Sequence, residues 1–141
     1  MAEFRVIEPV DVPAFWDLVA PYLASAFAHS RGDITFDDLF PLITEGDYTL
    51  WVVGDNGALV GAFLAADVRT PRMRIMEVYI GGAEKSLGIW AETFEFLKGW
   101  CAHAGYDRLV VSGRKGWSRA LKPLGFTLDH VTMGVSTKGD K

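Results

Sequence analysis

The sequence has a single cysteine, so it can form no internal disulfide bond. Basic residues are in the minority, with 14 lysines and arginines against 18 aspartates and glutamates, and the formal net charge is −4. This balance argues against general attraction to nucleic acid or to an anionic membrane. No apolar run approaches the length that spans a bilayer, and the first residues lack the basic and apolar blocks of a signal peptide. We therefore expect a cytoplasmic protein in a reducing compartment.

The chain has 141 residues, of which 50% are hydrophobic, and it contains no internal repeat or linker. A chain of this length buries roughly two-thirds of its unfolded surface, which is enough for one core without disulfide or metal cross-links. We predict a single domain over residues 1–135 and a loose polar tail over 136–141. Cys101 falls on an apolar helix stripe and is interpreted as a packing residue. The three histidines are scattered without ligand spacing, so no metal site is predicted.

The predicted order of elements is strand, two helices, three strands, helix, strand, helix, and a last strand or hairpin over Phe126 to Val135. The strongest turn signal is Gly54-Asp55-Asn56-Gly57, between two apolar β-rich runs. Thr35 and Asp38 resemble a capping box at the start of the second helix, and Pro21 predicts a kink or a break in the first. This order is typical of an α/β fold with a mixed sheet and helices on both faces.

The centre of the chain is a strand, a glycine-bearing turn and a long helix. The strand is predicted over Arg74 to Ile80, and Gly81 and Gly82 end it. The turn over residues 81–88 can direct backbone N–H groups and a helix N-terminus at an anion. The main apolar stripe of the helix consists of Leu87, Trp90, Phe94, Leu97 and Cys101. A second stripe consists of Ile89, Phe96 and Trp100, and either the domain itself or a partner covers it.

The order of elements, the central strand, turn and helix, and the closing run from Trp117 to Phe126 resemble the GNAT (Gcn5-related N-acetyltransferase) fold. The resemblance covers nearly the whole chain. It implies a mixed, mostly antiparallel sheet of six to seven strands. A closer likeness is to small GNAT-like proteins encoded by tailed bacteriophages and prophages, carried by Leu50-Trp51-Val52-Val53, the Ile80-Gly81-Gly82 turn, and Gly113-Arg114-Lys115-Gly116-Trp117 with the residues that follow it.

In this superfamily a loop of the form Arg/Gln-x-x-Gly-x-Gly/Ala follows the fourth strand and binds the coenzyme A pyrophosphate. The segment from Lys85 to Trp90 occupies that place, so the resemblance implies acetyl-CoA or another acyl-CoA as cofactor. The cofactor-binding residues that it implies are Val78, Ile80, Gly82, Lys85 and Gly88. Trp90 departs from the small final residue, and an indole there would fill the space of the phosphates. Leu121 stands where many members have a proton-donating tyrosine.

Acyl transfer to an amine needs a base for the amine and an acid or water for the departing thiolate. Glu77 and Tyr79 share one face of the central strand, opposite Val78 and its neighbours. If that face opens on a cleft, Glu77 is the candidate base and Tyr79 the candidate acid. The other interpretation is a solvent-facing glutamate and a half-buried tyrosine. Asp67, on the preceding strand, is a weaker candidate.

Two functional hypotheses follow from the resemblance. The first is an acyl-CoA-dependent N-acyltransferase acting on an amine, in the cytoplasm of a bacterial host. The second is a catalytically inactive GNAT-like module that binds a phage or host protein, for example as a virion component. Trp90, Leu121 and the second stripe of the long helix favour the second hypothesis. The two apolar sides of that helix are also compatible with a homodimer.

Overall fold

A computed structural model of the protein describes residues 2–27, 33–79, 87–112, 117–129 and 133–138. Within these residues five strands form one sheet in chain order: β1 (Ala2–Ile7), β2 (Thr49–Asp55), β3 (Ala58–Arg69), β4 (Arg74–Tyr79) and β5 (Arg108–Ser112). The helices are α1 (Val12–Phe27), α2 (Phe36–Thr44), α3 (Leu87–Ala104) and α4 (Trp117–Leu121). Neighbouring strands are antiparallel, except β4 and β5, which are parallel.

The predicted α/β fold with a mixed, mostly antiparallel sheet is confirmed, but the described residues hold five strands instead of six or seven. The predicted last strand is wrong for residues 126–129 and 133–135, which are irregular. Leu128, Met133 and Val135 are 71%, 87% and 89% exposed. A β-rich sequence forms a strand when packing covers one of its faces, and no described layer covers these side chains. Residues 130–132 lie outside the described parts of the chain.

Alternate residues of the central strands enter two separate cores, one on each face of the sheet. One core includes Phe63, Met76 and Val78 and packs against α3. The other includes Leu50, Val52, Ala62 and Leu64 and packs against α1 and α2. The period of two in a β-strand places neighbouring residues on opposite faces. The prediction of helices on both faces of the sheet is therefore confirmed.

Both apolar stripes of α3 contact the domain itself. The described members of the main stripe are all buried: Trp90, Phe94, Leu97 and Cys101. In the second stripe Ile89 is buried, and the ring of Phe96 stacks on Phe4 of β1 with 4.5 Å between centroids. Trp100 meets Trp51 of β2 edge to face at 5.1 Å. The alternative in which a partner must cover the second stripe is therefore not required.

Cys101 is a packing residue, as the sequence predicts. Its side chain is 4% exposed, and its Sγ lies 3.1 Å from Sδ of Met76 on β4. Burial raises the pKa of Cys101 to about 11, so the thiol stays protonated near neutral pH. A protonated buried thiol is a poor nucleophile.

Local signals set the element boundaries on the other face of the sheet. The carboxylate of Asp38 accepts a hydrogen bond of 2.8 Å from the backbone N–H of Thr35, which completes the predicted capping box of α2.

Helix α1 continues through Pro21, so the alternative of two short helices is wrong. The hydroxyl of Tyr22, in the following turn, donates to the carbonyl oxygen of Leu59 on β3 at 3.5 Å. This contact ties α1 to the sheet.

The turn between β2 and β3 requires a backbone conformation that most residues avoid. Asn56 has φ of 54° and Gly57 has φ of 81°. Two positive φ values in succession define the two-residue turn whose twist matches that of the flanking strands. The predicted hairpin is therefore confirmed, and Gly57 is needed for its conformation.

The same substitution should have opposite effects at two glycines. Gly57→Ala should destabilise the fold by about 1 kcal/mol, because the Cβ of an alanine clashes with the backbone at positive φ. Gly99→Ala should stabilise it by roughly 0.5–1 kcal/mol, because Gly99 lies within α3 and an added Cβ meets nothing within 4 Å. Urea unfolding of both variants measures the difference. If both substitutions changed the free energy of unfolding in the same direction, the conformations assigned to the two glycines would be wrong.

Candidate functional site

The candidate site lies where β4 and β5 end side by side. Tyr79, the last residue of β4, is in register with Ser112, the last residue of β5. Carboxyl ends of parallel strands meet at one edge of a sheet, and ligands of α/β proteins commonly bind outside that edge. The segments that follow the two strands, 80–86 and 113–116, lie outside the described residues. They include three predicted cofactor-binding residues: Ile80, Gly82 and Lys85.

The side chains of β4 separate as the sequence predicts. Val78 is fully buried in the core beneath α3, whereas Tyr79 packs on the α1 and α2 side. The ring of Tyr79 lies 6.2 Å from that of Phe27 and 5.3 Å from that of Tyr48, measured between centroids. Glu77, two residues earlier, is half-buried on the same face as Tyr79. Glu77 is therefore only partly open to solvent, and it is hydrogen-bonded to the phenol of Tyr79.

Ser112 provides a hydrogen-bonding partner for Glu77. Its hydroxyl donates to Oε2 of Glu77 across the parallel pair of strands. Glu77 is itself in register with Val110, so Ser112 is its diagonal neighbour, two residues further along β5. The sequence contains no signal for this contact, because the two residues are 35 positions apart and Ser112 has no nucleophile motif around it. Sequence reasoning therefore missed Ser112.

Tyr79 and Tyr48 form a coupled pair of phenols beside Glu77. Burial, first, and then the charge of Glu77 raise the pKa of Tyr79 well above its ordinary value, and hydrogen bonds to Tyr48 and Glu77 add to the effect. Burial also raises the pKa of Tyr48, although its hydrogen bond with Tyr79 lowers it in part. The carboxylates of Glu77, Asp33 and Asp47 raise the pKa of Tyr48 further. Both phenols therefore keep their protons near neutral pH.

The start of α3 shows how its first turn is oriented. The indole of Trp90 is 5% exposed and packs on the rings of Phe63 and Phe94, with centroids 6.2 Å and 6.0 Å apart. It therefore lies in the core beneath the helix. Gly88, two residues earlier, is exposed, and a Cβ built on it meets nothing within 4 Å. Leu121, where many GNAT proteins have a tyrosine, is 5% exposed and belongs to the same core as Trp90.

Val78 has limited means of contacting a coenzyme. Its side chain is fully buried, and it is in register with Ala65 on β3 and Val111 on β5. Only its main chain is left to approach a ligand, and both neighbouring strands flank it. Its role in cofactor binding, like that of Gly88, stays a prediction.

Asp67 lies away from the candidate site and has a structural partner. It is in register with Met76 on β4, and its Oδ2 lies 3.2 Å from Nη2 of Arg74. Nη1 of the same arginine donates to the carbonyl oxygen of Ala104 at 2.9 Å, and its guanidinium covers the ring of Tyr106 at 4.0 Å. This cluster joins the beginning of β4 to the end of α3. Asp67 therefore belongs to a structural cluster, and its role as a weaker candidate base stays a prediction.

Neither a metal-binding cluster nor a membrane-spanning helix is found among the described residues. No group of three His, Cys, Asp or Glu side chains in these parts of the chain could hold a metal ion. None of the helices there is long and apolar enough to cross a membrane.

The fold resembles that of solved acetyltransferases. A ribosomal-protein-alanine N-acetyltransferase from Brucella melitensis biovar Abortus 2308 matches with a TM-score of 0.70 and 16% identity, covering 96% of this chain and 98% of that one. A GCN5-related N-acetyltransferase from Ralstonia eutropha JMP134 matches at 0.67 and 16%, covering 99% and 100%. A predicted acetyltransferase from Clostridium acetobutylicum, solved with acetyl-CoA, matches at 0.67 and 13%, covering 96% of each chain.

No protein-family model matches the chain, and no curated protein matches it. At such low identity the structural matches show the fold alone. The chain has a GNAT fold over almost its whole length.

The pKa of Tyr79 predicts a loss of stability in alkaline solution. In the unfolded chain the phenol ionises near pH 10.0, whereas the folded protein holds the proton to higher pH. Above that pH the unfolded state binds fewer protons, so stability falls as pH rises. Tyr79→Phe should therefore reduce the fall in the urea midpoint between about pH 8 and about pH 11. An unchanged fall would contradict the raised pKa.

Proposed function

We propose that the chain is an acyl-CoA-dependent N-acyltransferase of GNAT type that acts on an amine. The observation that carries the proposal is a half-buried carboxylate, Glu77, hydrogen-bonded to Ser112 where two parallel strands of a GNAT fold end. Fold alone does not define an activity, so the argument depends on what these side chains can do. The matched structures support the proposal because they are described as acetyltransferases.

Glu77 is proposed as the general base. The amine nitrogen attacks the acyl carbon, a C–N bond forms, the C–S bond breaks, and Glu77 takes the proton that the nitrogen loses. Glu77 then releases that proton to water, and water protonates the departing thiolate, so the overall reaction moves one proton from nitrogen to sulfur. Tyr79, whose hydroxyl is hydrogen-bonded to Tyr48 and Glu77 in the free protein, is proposed to turn that hydroxyl towards the departing sulfur; its raised pKa keeps the phenol protonated.

The coenzyme is proposed to bind beyond the ends of β4 and β5, with its pyrophosphate at the start of α3. Gly88 supports this placement because it is exposed and leaves open space beside the first turn of the helix. The burial of Trp90 also supports it, because the indole does not compete for that space. The roles proposed for Val78, Ile80, Gly82 and Lys85 rest on the resemblance. An acyl-CoA is the cofactor they imply.

The acceptor amine is proposed to approach from the α1 and α2 side. Glu77 and Tyr79 face that side, and the rings of Phe27 and Tyr48 border Tyr79 there. Aromatic faces and a carboxylate both favour a positively charged ligand. The carboxylates of Asp33 and Asp47, which lie near enough to raise the pKa of Tyr48, add to this potential.

The alternative, an inactive phage virion or protein-interaction module, depended on three sequence features. Trp90 and Leu121 both lie in the core beneath α3, where packing explains them. The second stripe of α3 contacts β1 and β2 of the same chain. Packing within the chain therefore accounts for all three features without a partner protein. It also accounts for the two apolar sides of α3 that were compatible with a homodimer.

Coenzyme binding can be tested by thermal denaturation. Millimolar acetyl-CoA should raise the melting temperature, because a ligand that binds only the folded state stabilises it. Gly88→Trp should abolish the shift by filling the open space beside Gly88. Gly99→Trp is the matched control, since Gly99 is also exposed on α3 but lies three turns away. If acetyl-CoA leaves the melting temperature of the wild-type protein unchanged, the proposed function has no cosubstrate. If it raises the melting temperatures of both variants equally, the coenzyme binds elsewhere.

Catalysis by Glu77 can be tested with an isosteric variant. Glu77→Gln should lower kcat by about 10²–10⁴-fold while the affinity for acetyl-CoA stays the same, because a general base acts on the chemical step. Release of free thiol from acetyl-CoA with a panel of amines measures the rate. Glu45→Gln, an exposed glutamate after α2, is the control. Equal losses of kcat and of affinity would assign Glu77 to binding.

A further inference from the structure

We infer that Ser112 is a positioning residue that holds the carboxylate of Glu77 in one orientation for proton transfer. The inference rests on the proposed function, because it assigns a partner to the proposed base. It is carried by the hydrogen bond from the Ser112 hydroxyl to Oε2 of Glu77. Nothing in the sequence links these two residues.

A glutamate needs such a partner because its side chain is long and rotates freely. Ordering a glutamate costs more conformational entropy than ordering most other side chains. A serine on a paired strand, by contrast, has its main chain fixed and only one torsion that places the oxygen. Ser112 is in register with Tyr79 and diagonal to Glu77, so its hydroxyl lies on the same face as both side chains. The stiffer residue therefore fixes the more mobile one.

The hydrogen bond also differentiates the two carboxylate oxygens. Oε2 accepts from Ser112, so the bond fixes the place of one oxygen and, with it, the orientation of the whole carboxylate. A general base must lie within hydrogen-bond reach of the proton that it removes. An error of about 1 Å in that placement can cost on the order of a hundredfold in rate. Ser112 thus acts through Glu77 and does not itself need to touch the substrate.

The opposite assignment, with Ser112 as nucleophile and Glu77 as its base, predicts a different product of the half-reaction. An acyl group would move from the sulfur to the Ser112 oxygen, and an acyl-enzyme would accumulate without amine. A positioning residue forms no covalent intermediate. Mass spectrometry of the protein after incubation with acetyl-CoA alone therefore separates the two assignments.

The test compares Ser112→Ala, Ser112→Thr and Ser25→Ala. Removal of the hydroxyl at Ser112 should lower kcat by about tenfold or more with little change in KM, because the base is then less well placed. Ser112→Thr keeps the hydroxyl and suits a strand, so it should retain most of kcat. Ser25, exposed on α1, is the control for the same chemical change. In the Glu77→Gln background, Ser112→Ala should have no further effect on kcat.

The outcomes distinguish this inference from the proposed function. If the wild-type protein acylates an amine but Ser112→Ala leaves kcat unchanged, or lowers it equally in both backgrounds, the role of Ser112 is overturned and the transferase stands. If Ser112→Ala abolishes turnover and the wild-type protein carries an acyl group, the residue is a nucleophile. If no acyl-CoA binds and no amine is acylated, the proposed function fails, and the role of Ser112 fails with it.

Discussion

The parallel pairing of β4 with β5 is the constraint on which the rest of the structure depends. Parallel neighbours cannot be joined by a tight turn, so the chain between them must cross one face of the sheet, and α3 makes that crossing. The crossing brings the carboxyl ends of both strands to one edge, with Tyr79 and Ser112 side by side. Glu77 and Ser112 can meet only because of this register.

The alternation along β4 separates the two functions that an acyltransferase must combine. Met76 and Val78 face α3 and hold the helix in place, whereas Glu77 and Tyr79 face α1 and α2. The helix that would bind the coenzyme and the groups that would act on the amine therefore lie on opposite sides of one strand. The strand end is the point where the two sides meet. A reacting acyl group would have to lie there.

Local chemistry made much of the fold predictable. The Asn56-Gly57 turn, the period of α3 and the alternation of β4 each follow from a few neighbouring residues, and all three are confirmed. The run from Phe126 to Val135 has the composition of a strand, but composition cannot show whether a neighbouring layer covers it. The contact between Ser112 and Glu77 depends on the register of two distant strands. Pairing between distant strands leaves no local pattern, so sequence reasoning could not find it.

The orientation of Trp90 is a further example of what a motif alone cannot determine. Its position in the loop pattern suggested an obstacle to phosphate, yet the indole lies in the core beside Phe63 and Phe94. Residues three and four apart share a helix face, so Trp90 lies on the same face as Phe94 and Leu97, which are both fully buried. Gly88 lies elsewhere on the first turn and is exposed. The rotation of the helix, more than the identity of one residue, decides whether the turn is open.

The proton requirements of acyl transfer limit what Tyr79 can do. A thiol has an ordinary pKa of about 8.5, whereas burial and the charge of Glu77 raise the pKa of this phenol above its usual range. Full transfer of a proton from Tyr79 to a thiolate would therefore be energetically uphill. A hydrogen bond from the neutral phenol stabilises developing charge on sulfur without that cost. Leu121 stands where many GNAT proteins have a proton-donating tyrosine. In the proposed reaction Tyr79 therefore donates only a hydrogen bond to the sulfur, and water supplies the proton that the sulfur finally takes.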